Sequence, residues 1–177
     1  MCNAFFKCFS QLNCARRSPG AAIIDGFIYV CGGGTGDNLL NSVEVYDPTI
    51  KKWTIFSTLP EPLSQISVMA QNYNLLLCGG WNTLDSRKTV WKLNVKSGIL
   101  SKHSTMKQGR FGFAVVQFKR CLIAVGGFLK MNMATTATEV FDGHKWTKGP
   151  PLPVPIGGYG SVILTKELED FFVNRFA

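Results

Sequence analysis

The sequence predicts an all-β chain made of about three copies of one four-stranded antiparallel unit, and three observations carry that expectation. Three hydrophobic runs each end in a glycine pair: Ile28-Tyr29-Val30-Cys31-Gly32-Gly33, Leu75-Leu76-Leu77-Cys78-Gly79-Gly80 and Leu122-Ile123-Ala124-Val125-Gly126-Gly127. The second glycines stand 47 residues apart (80−33 and 127−80), a fixed period of the size that marks a repeat architecture. The same order of short apolar runs and polar links surrounds each pair.

The elements follow in order. Each unit opens on an apolar stretch, strand A, at Gly20 to Ile24, Ile66 to Ala70 and Phe113 to Gln117. A short polar link comes next (Asp25-Gly26, Gln71 to Asn74, Phe118 to Arg120); Asp-Gly between two β-prone runs is a strong hairpin signal. The glycine-ending run is strand B, where a residue without Cβ permits a sharp bend and a close backbone approach. Strand C is the alternating run Ser42 to Pro48, echoed by Thr89 to Asn94 and Thr138 to Asp142. Strand D is announced by Trp53 ahead of Leu59-Pro60 and by Trp146 ahead of Leu152-Pro153. The large rings of Tyr46, Phe141, Trp53 and Trp146 suit the space between sheets packed face to face. Unit two departs from this pattern: Leu93 stands for the aromatic, Leu100 for the tryptophan and Leu63 for an arginine found at Arg16 and Arg110.

Glycine pairs, an aromatic before Asp, a tryptophan and a strand-A arginine, in this order and spacing, resemble the kelch repeat. The resemblance implies one blade of a β-propeller per unit. Repeats then run over residues 16–62, 63–109 and 110–155. Residues 1–15 read as strand D of a preceding incomplete blade, because Phe6 to Leu12 overlays Trp53 to Leu59 with Phe9 on Phe56 and Ser10 on Ser57. Residues 156–165 read as strand A of an incomplete fourth repeat, and 166–177 as an out-of-family tail. Propellers close with about four to eight blades. The expectation is therefore an open arc of about three blades with a stray strand at each end, whose uncovered edges invite self-association.

Composition narrows the class of function. Hydrophobic residues make up 46% of the 177, and no apolar run is long enough to cross a bilayer. With no secretory signal and no Asn-x-Ser/Thr site, the expected location is cytoplasmic. The net charge of +8 is scattered (Lys51-Lys52, Arg87-Lys88, Lys119-Arg120), so neither nucleic acid nor a membrane is an expected partner. The six cysteines and two histidines lack zinc-site spacing. Cys31 and Cys78 share a strand-B position and read as small core hydrophobes.

No catalytic constellation, metal site or cofactor is expected. Gly32 to Asp37 is glycine-rich, but it leads into another strand where a phosphate loop needs a helix. Glycine pairs, Tyr46, Trp53, Phe141 and Trp146 belong to the blades. Function then falls to the loops between strands B and C, at 34–41, 81–88 and 128–137, because repeat scaffolds carry binding there. Candidate partner-binding residues are Arg16, Arg17, Asn38, Trp81, Asn82, Arg87, Arg110 and Phe128. Trp81 leads them, since Trp, Tyr and Arg dominate interface hot spots. By resemblance to kelch-like proteins, the implied function is non-catalytic binding of a protein or peptide, as part of a substrate-recognition adaptor for a cullin-RING ubiquitin ligase. In that reading Arg16, Arg17 and Arg110 grip a polar or acidic peptide; pairing with local carboxylates is the structural alternative. Kelch resemblance also leaves open an actin- or cytoskeleton-associated protein and, more remotely, a propeller enzyme of the galactose oxidase or epimerase type.

Overall fold

A computed structural model describes residues 10–158. Three four-stranded antiparallel sheets follow the repeats. The first holds β1 (Gly20–Ile24), β2 (Phe27–Cys31), β5 (Ser42–Asp47) and β6 (Lys52–Thr58), in that spatial order. Between β2 and β5 lies a two-stranded hairpin, β3 (Gly34–Thr35) with β4 (Asn38–Leu39). The second sheet is β7 (Ser67–Gln71), β8 (Asn74–Cys78), β9 (Thr89–Asn94) and β10 (Leu100–Thr105). The third is β11 (Ala114–Phe118), β12 (Cys121–Val125), β15 (Thr138–Phe141) and β16 (Trp146–Lys148), with a second hairpin of β13 (Phe128–Lys130) and β14 (Met133–Ala134). Each sheet is one A-B-C-D blade, and the degenerate second repeat builds the same sheet as its neighbours. The inner strands β1, β7 and β11 lie side by side in turn, and the three sheets form an unclosed arc.

Alternation along strand B explains why the sheets stack. On β8, Leu75 and Leu77 enter the core against the first sheet, with Tyr29, Cys31 and Val43, while Leu76 and Cys78 enter the core against the third, with Leu122, Phe141 and Trp146. All four β8 residues are fully buried, and each leucine so buried contributes about 1.5–3 kcal/mol. Burial pushes the thiols of Cys31 and Cys78 up to about 12, which keeps them neutral apolar filler.

Trp53 and Trp146 tie their strands to the chain of the preceding repeat. Trp146 Nε1 donates to Ser104 Oγ at 2.9 Å and Trp53 Nε1 donates to the Ser10 carbonyl at 2.8 Å. Ser10 thus stands to Trp53 as its repeat counterpart Ser104 stands to Trp146. Described residues 10–15 carry no strand. The rest of the N-terminal strand-D expectation, most of residues 156–165 and all of 166–177 fall outside the described residues.

The glycine pairs have a specific cause. Gly79 and Gly80 adopt φ of +60° and +105°, and a Cβ on Gly79 would lie 2.4 Å from the Arg110 carbonyl oxygen of the next repeat. That closeness lets the second glycine bond across the blades: Gly33, Gly80 and Gly127 donate to the carbonyls of Leu63, Arg110 and Ile156 at 2.8–2.9 Å. A second ladder runs beside it: Gln65 N donates to Ser18 O, Gly112 N to Gln65 O, and Gly158 N to Gly112 O. All four of these residues have positive φ.

Candidate functional site

The three B–C connections are structured. The residue after each glycine pair bonds back to the entry of its own strand A in a two-way bridge: Arg17 with Gly34, Ser64 with Trp81, Phe111 with Phe128. The loops at 34–41 and 128–137 fold into the hairpins β3–β4 and β13–β14, and Trp81 bridges to Ser86. Strand alternation and turn signals over so few residues are too short to announce these hairpins.

The structure builds Arg16 and Arg110 into the frame, in the pairing with local carboxylates that the sequence left as the alternative to gripping a partner. The side chain of Arg16 is fully enclosed; it donates to the carbonyls of Gly32 and Ser42, to Ser42 Oγ and to the Glu44 carboxylate. Arg110 repeats the pattern with Gly126 O, Ala137 O and Glu139, the last at 2.7 Å. Each carboxylate also takes backbone N–H groups of the preceding D–A link, from Asn13 and Cys14 to Glu44 and from Lys107 and Gln108 to Glu139. Burial alone pushes the Glu44 carboxyl up, but the Asn13 and Arg16 donors outweigh it and hold the group below its ordinary range. Both guanidinium groups are enclosed, with Arg110 Nε left buried and unpaired among the described residues.

Repeat two replaces this ion pair as a set. Leu63 stands at the arginine position, Trp91 at the glutamate position and Pro60, with no N–H to satisfy, at the position of Asn13 and Lys107. Leu63 and Trp91 pack into the core between the first two sheets. The D–A link is instead anchored with the charges exchanged. Glu61 on the link accepts from Arg87 Nε at 2.9 and 3.0 Å and Arg87 Nη2 at 2.7 Å, and from Asn82 Nδ2 at 2.9 Å. Asn82 Oδ1 meanwhile accepts the N–H groups of Leu84 and Asp85, fixing the turn.

Beside this anchor stands an aromatic row. Trp81 lies 5.1 Å from Phe111, and Phe111 stacks on Phe128 at 5.5 Å and 26°. Phe111 is buried, whereas Trp81 and Phe128 are half-exposed. The loop tips add open apolar side chains, Leu84 at 78% exposure and Met133 at 51%. Trp81, Asn82, Arg87 and Phe128 therefore converge, as parts of one surface. Arg17 and Asn38 are exposed beside the β3–β4 hairpin of the first repeat, apart from that row. Sequence reasoning missed Phe111 and Glu61. Phe111 had a signal, since it sits one residue after Arg110 and in period with Arg17 and Ser64; Glu61 had none, because its partner is 26 residues away at no repeated position.

No three His, Cys, Asp or Glu side chains converge on a metal-sized site among the described residues, and no described helix is long and apolar enough to cross a membrane.

The Kelch motif model matches residues 15–60 and 109–153. The chain belongs to the kelch-motif family. The stretch between the two matches is the second repeat, the one whose arginine, glutamate, aromatic and tryptophan are replaced. Among curated relatives, this kelch chain is 27% identical over 126 residues to spermatocyte protein spe-26 of Caenorhabditis elegans, covering 71% of this chain and 22% of that protein. It is 35% identical over 98 residues to Kelch-like protein 40 of Mus musculus, covering 50% and 16%. The chain thus spans about a fifth or less of the length of these relatives. The solved structure of YjhT superposes with a TM-score of 0.72 at 22% identity, covering 80% of this chain and 54% of that one, and shows the same fold.

Proposed function

We propose that this kelch chain is a non-catalytic protein-binding module whose partner docks on the B–C loop face, centred on Trp81. One observation carries the reading: repeat two abandons the buried Arg–Glu frame and holds its loop instead by the half-exposed Glu61–Arg87–Asn82 anchor, next to the Trp81–Phe111–Phe128 row. An exposed ion pair of this kind contributes only about 0–1 kcal/mol of stability, so its effect is to position the loop. A half-exposed tryptophan, with Leu84 and Met133 exposed on the loops that carry Trp81 and Phe128, is a docking surface of the type that carries binding energy. On the resemblance of its repeats to kelch-like proteins, the module serves as part of a substrate-recognition adaptor for a cullin-RING ubiquitin ligase.

The test is affinity capture with the chain in its full-length context, wild type against Leu84→Asp/Met133→Asp, a surface pair that leaves the core intact, and against Trp81→Ala. Recovery of a cullin and of a client lost in both variants is the expected result. A client retained by both variants moves the site away from this face, and co-sedimentation with actin filaments in place of cullin recovery replaces the adaptor reading with the cytoskeletal one.

A further inference from the structure

The opposite end of the blades, where the A–B and C–D turns gather, carries a groove of about 350 Å³ between the first and second sheets. Its walls include Tyr29, Phe56 and Tyr73, with Tyr29 and Phe56 in edge contact at 5.4 Å and 78°. Asp25 and Lys96 stand in the same lining. A volume at the lower end of the ligand-pocket range, aromatic walls and few charged groups are the features of a binding cleft.

The repeat supplies its own control. Between the second and third sheets, the positions one period on from Ile24, Phe27, Val45, Phe56 and Tyr73 are Gln71, Asn74, Lys92, His103 and Arg120. The same scaffold therefore tolerates polar residues at every one of these places. Tyr29 belongs to the core, as its counterpart Leu76 does, but Phe27, Phe56 and Tyr73 are not a demand of blade packing. There, His103 instead closes against Phe141 at 5.3 Å.

Two details identify the chemistry the groove takes. Lys96 Nζ lies 3.3 Å from the centre of the Tyr73 ring, so a cation already rests on one wall. Asp25 is exposed at the rim, close enough that its charge, after burial, helps push up the pKa of the Tyr29 hydroxyl. Aromatic faces attract ammonium and guanidinium groups through their quadrupoles, and a carboxylate at the rim adds charge complementarity.

We propose that this groove is a second interaction site, which receives a cationic side chain, lysine-type or arginine, from a peptide segment of a partner, and that Lys96 occupies the aromatic wall when no partner is bound. The site is independent of the B–C loop face. Binding displaces the Lys96 ammonium to solvent, and the incoming cation takes its place between Tyr73 and Asp25.

The test titrates the intact chain with blocked tripeptides Gly-X-Gly, where X is arginine, trimethyllysine or norleucine, followed by amide and aromatic-ring chemical shifts. Both cationic peptides are expected to shift Tyr29, Phe56 and Tyr73, and norleucine to bind at least about threefold more weakly. Lys96→Met is expected to tighten the cationic peptides about threefold by removing the internal competitor, and Asp25→Asn to weaken them. Both substitutions lie on exposed turns, and Asn tolerates the positive φ at position 25, so circular dichroism should show both folded. Comparable binding of norleucine, an unchanged or weaker affinity in Lys96→Met, or no shift at the three rings would each overturn the proposal.

Discussion

Arg110→Leu is the sharpest probe of the frame. The substitution strips Glu139 of its guanidinium partner in a place where the arginine is fully buried and the glutamate 3% exposed. Removing one member of a buried pair leaves an uncompensated charge and costs about 3–5 kcal/mol, a large share of the roughly 5–15 kcal/mol that holds a domain folded. Repeat two shows what repairs the loss, because Leu63, Trp91 and Pro60 occupy the same three positions without a charge. The triple variant Arg110→Leu/Glu139→Trp/Lys107→Pro copies that set. It removes the stranded carboxylate, fills its volume and deletes the Lys107 N–H that would lose its 2.6 Å acceptor, a donor worth about 1–3 kcal/mol if left unsatisfied. The Gln108 N–H loses the same carboxylate, but Gln108 is exposed and water can take its place. Replacement of a buried ion pair by packed apolar residues is often close to neutral, so the triple variant is expected within about 2 kcal/mol of wild type. Equilibrium urea denaturation followed by far-ultraviolet circular dichroism measures both. A single variant losing less than about 1 kcal/mol, or a triple variant no more stable than the single, would refute the equivalence of the two solutions.

Acidification should destabilise the fold in two steps. Burial and then Lys92 depress the His103 pKa below 6.5, so the neutral ring's stability is whole above 6.5 and is lost as the pH falls through the lower folded value. The depressed Glu44 carboxyl likewise contributes above its unfolded value near 4.5 and loses that contribution as pH falls through its folded value. Urea midpoints taken from pH 8 to pH 3 should decline accordingly, with the upper limb flattened in His103→Gln. Gln65 holds φ of +50° where the third repeat has Gly112, so Gln65→Gly should raise stability by about 0.5–1 kcal/mol through relief of left-handed strain; a drop in the melting temperature would contradict it. Native chain at pH 8 should leave Cys31 and Cys78 unlabelled by a thiol reagent, since both are buried with pKa about 12, while the half-exposed Cys121 reacts. Mass-spectrometric mapping of the labelled sites reads that directly.

Repetition made most of the scaffold legible. Strand A of the first repeat and strand C of the second match the expected bounds residue for residue, Gly20–Ile24 and Thr89–Asn94, and the other A, B and C strands shift by a residue or two at their ends. Period and alternation are local properties, and they survive even where repeat two has lost its arginine and tryptophan. The B–C hairpins escaped because strands of two or three residues carry no period of their own. Arg16 and Arg110 show the other limit: a sequence lists an arginine at a strand entry without saying whether it faces a partner or a carboxylate 28 or 29 residues away.

From the amino-acid order alone came the blade count and the glycine bends, both consequences of spacing along the chain. Which side chains are free to bind was decided only in three dimensions. Burial and pairing depend on what the neighbouring blade brings to each position, so the two arginines were sealed beneath the surface. The same packing brought Trp81, Phe111, Phe128, Arg87 and Glu61 together from three separate stretches of chain, and left one inter-blade groove aromatic where its counterpart is polar.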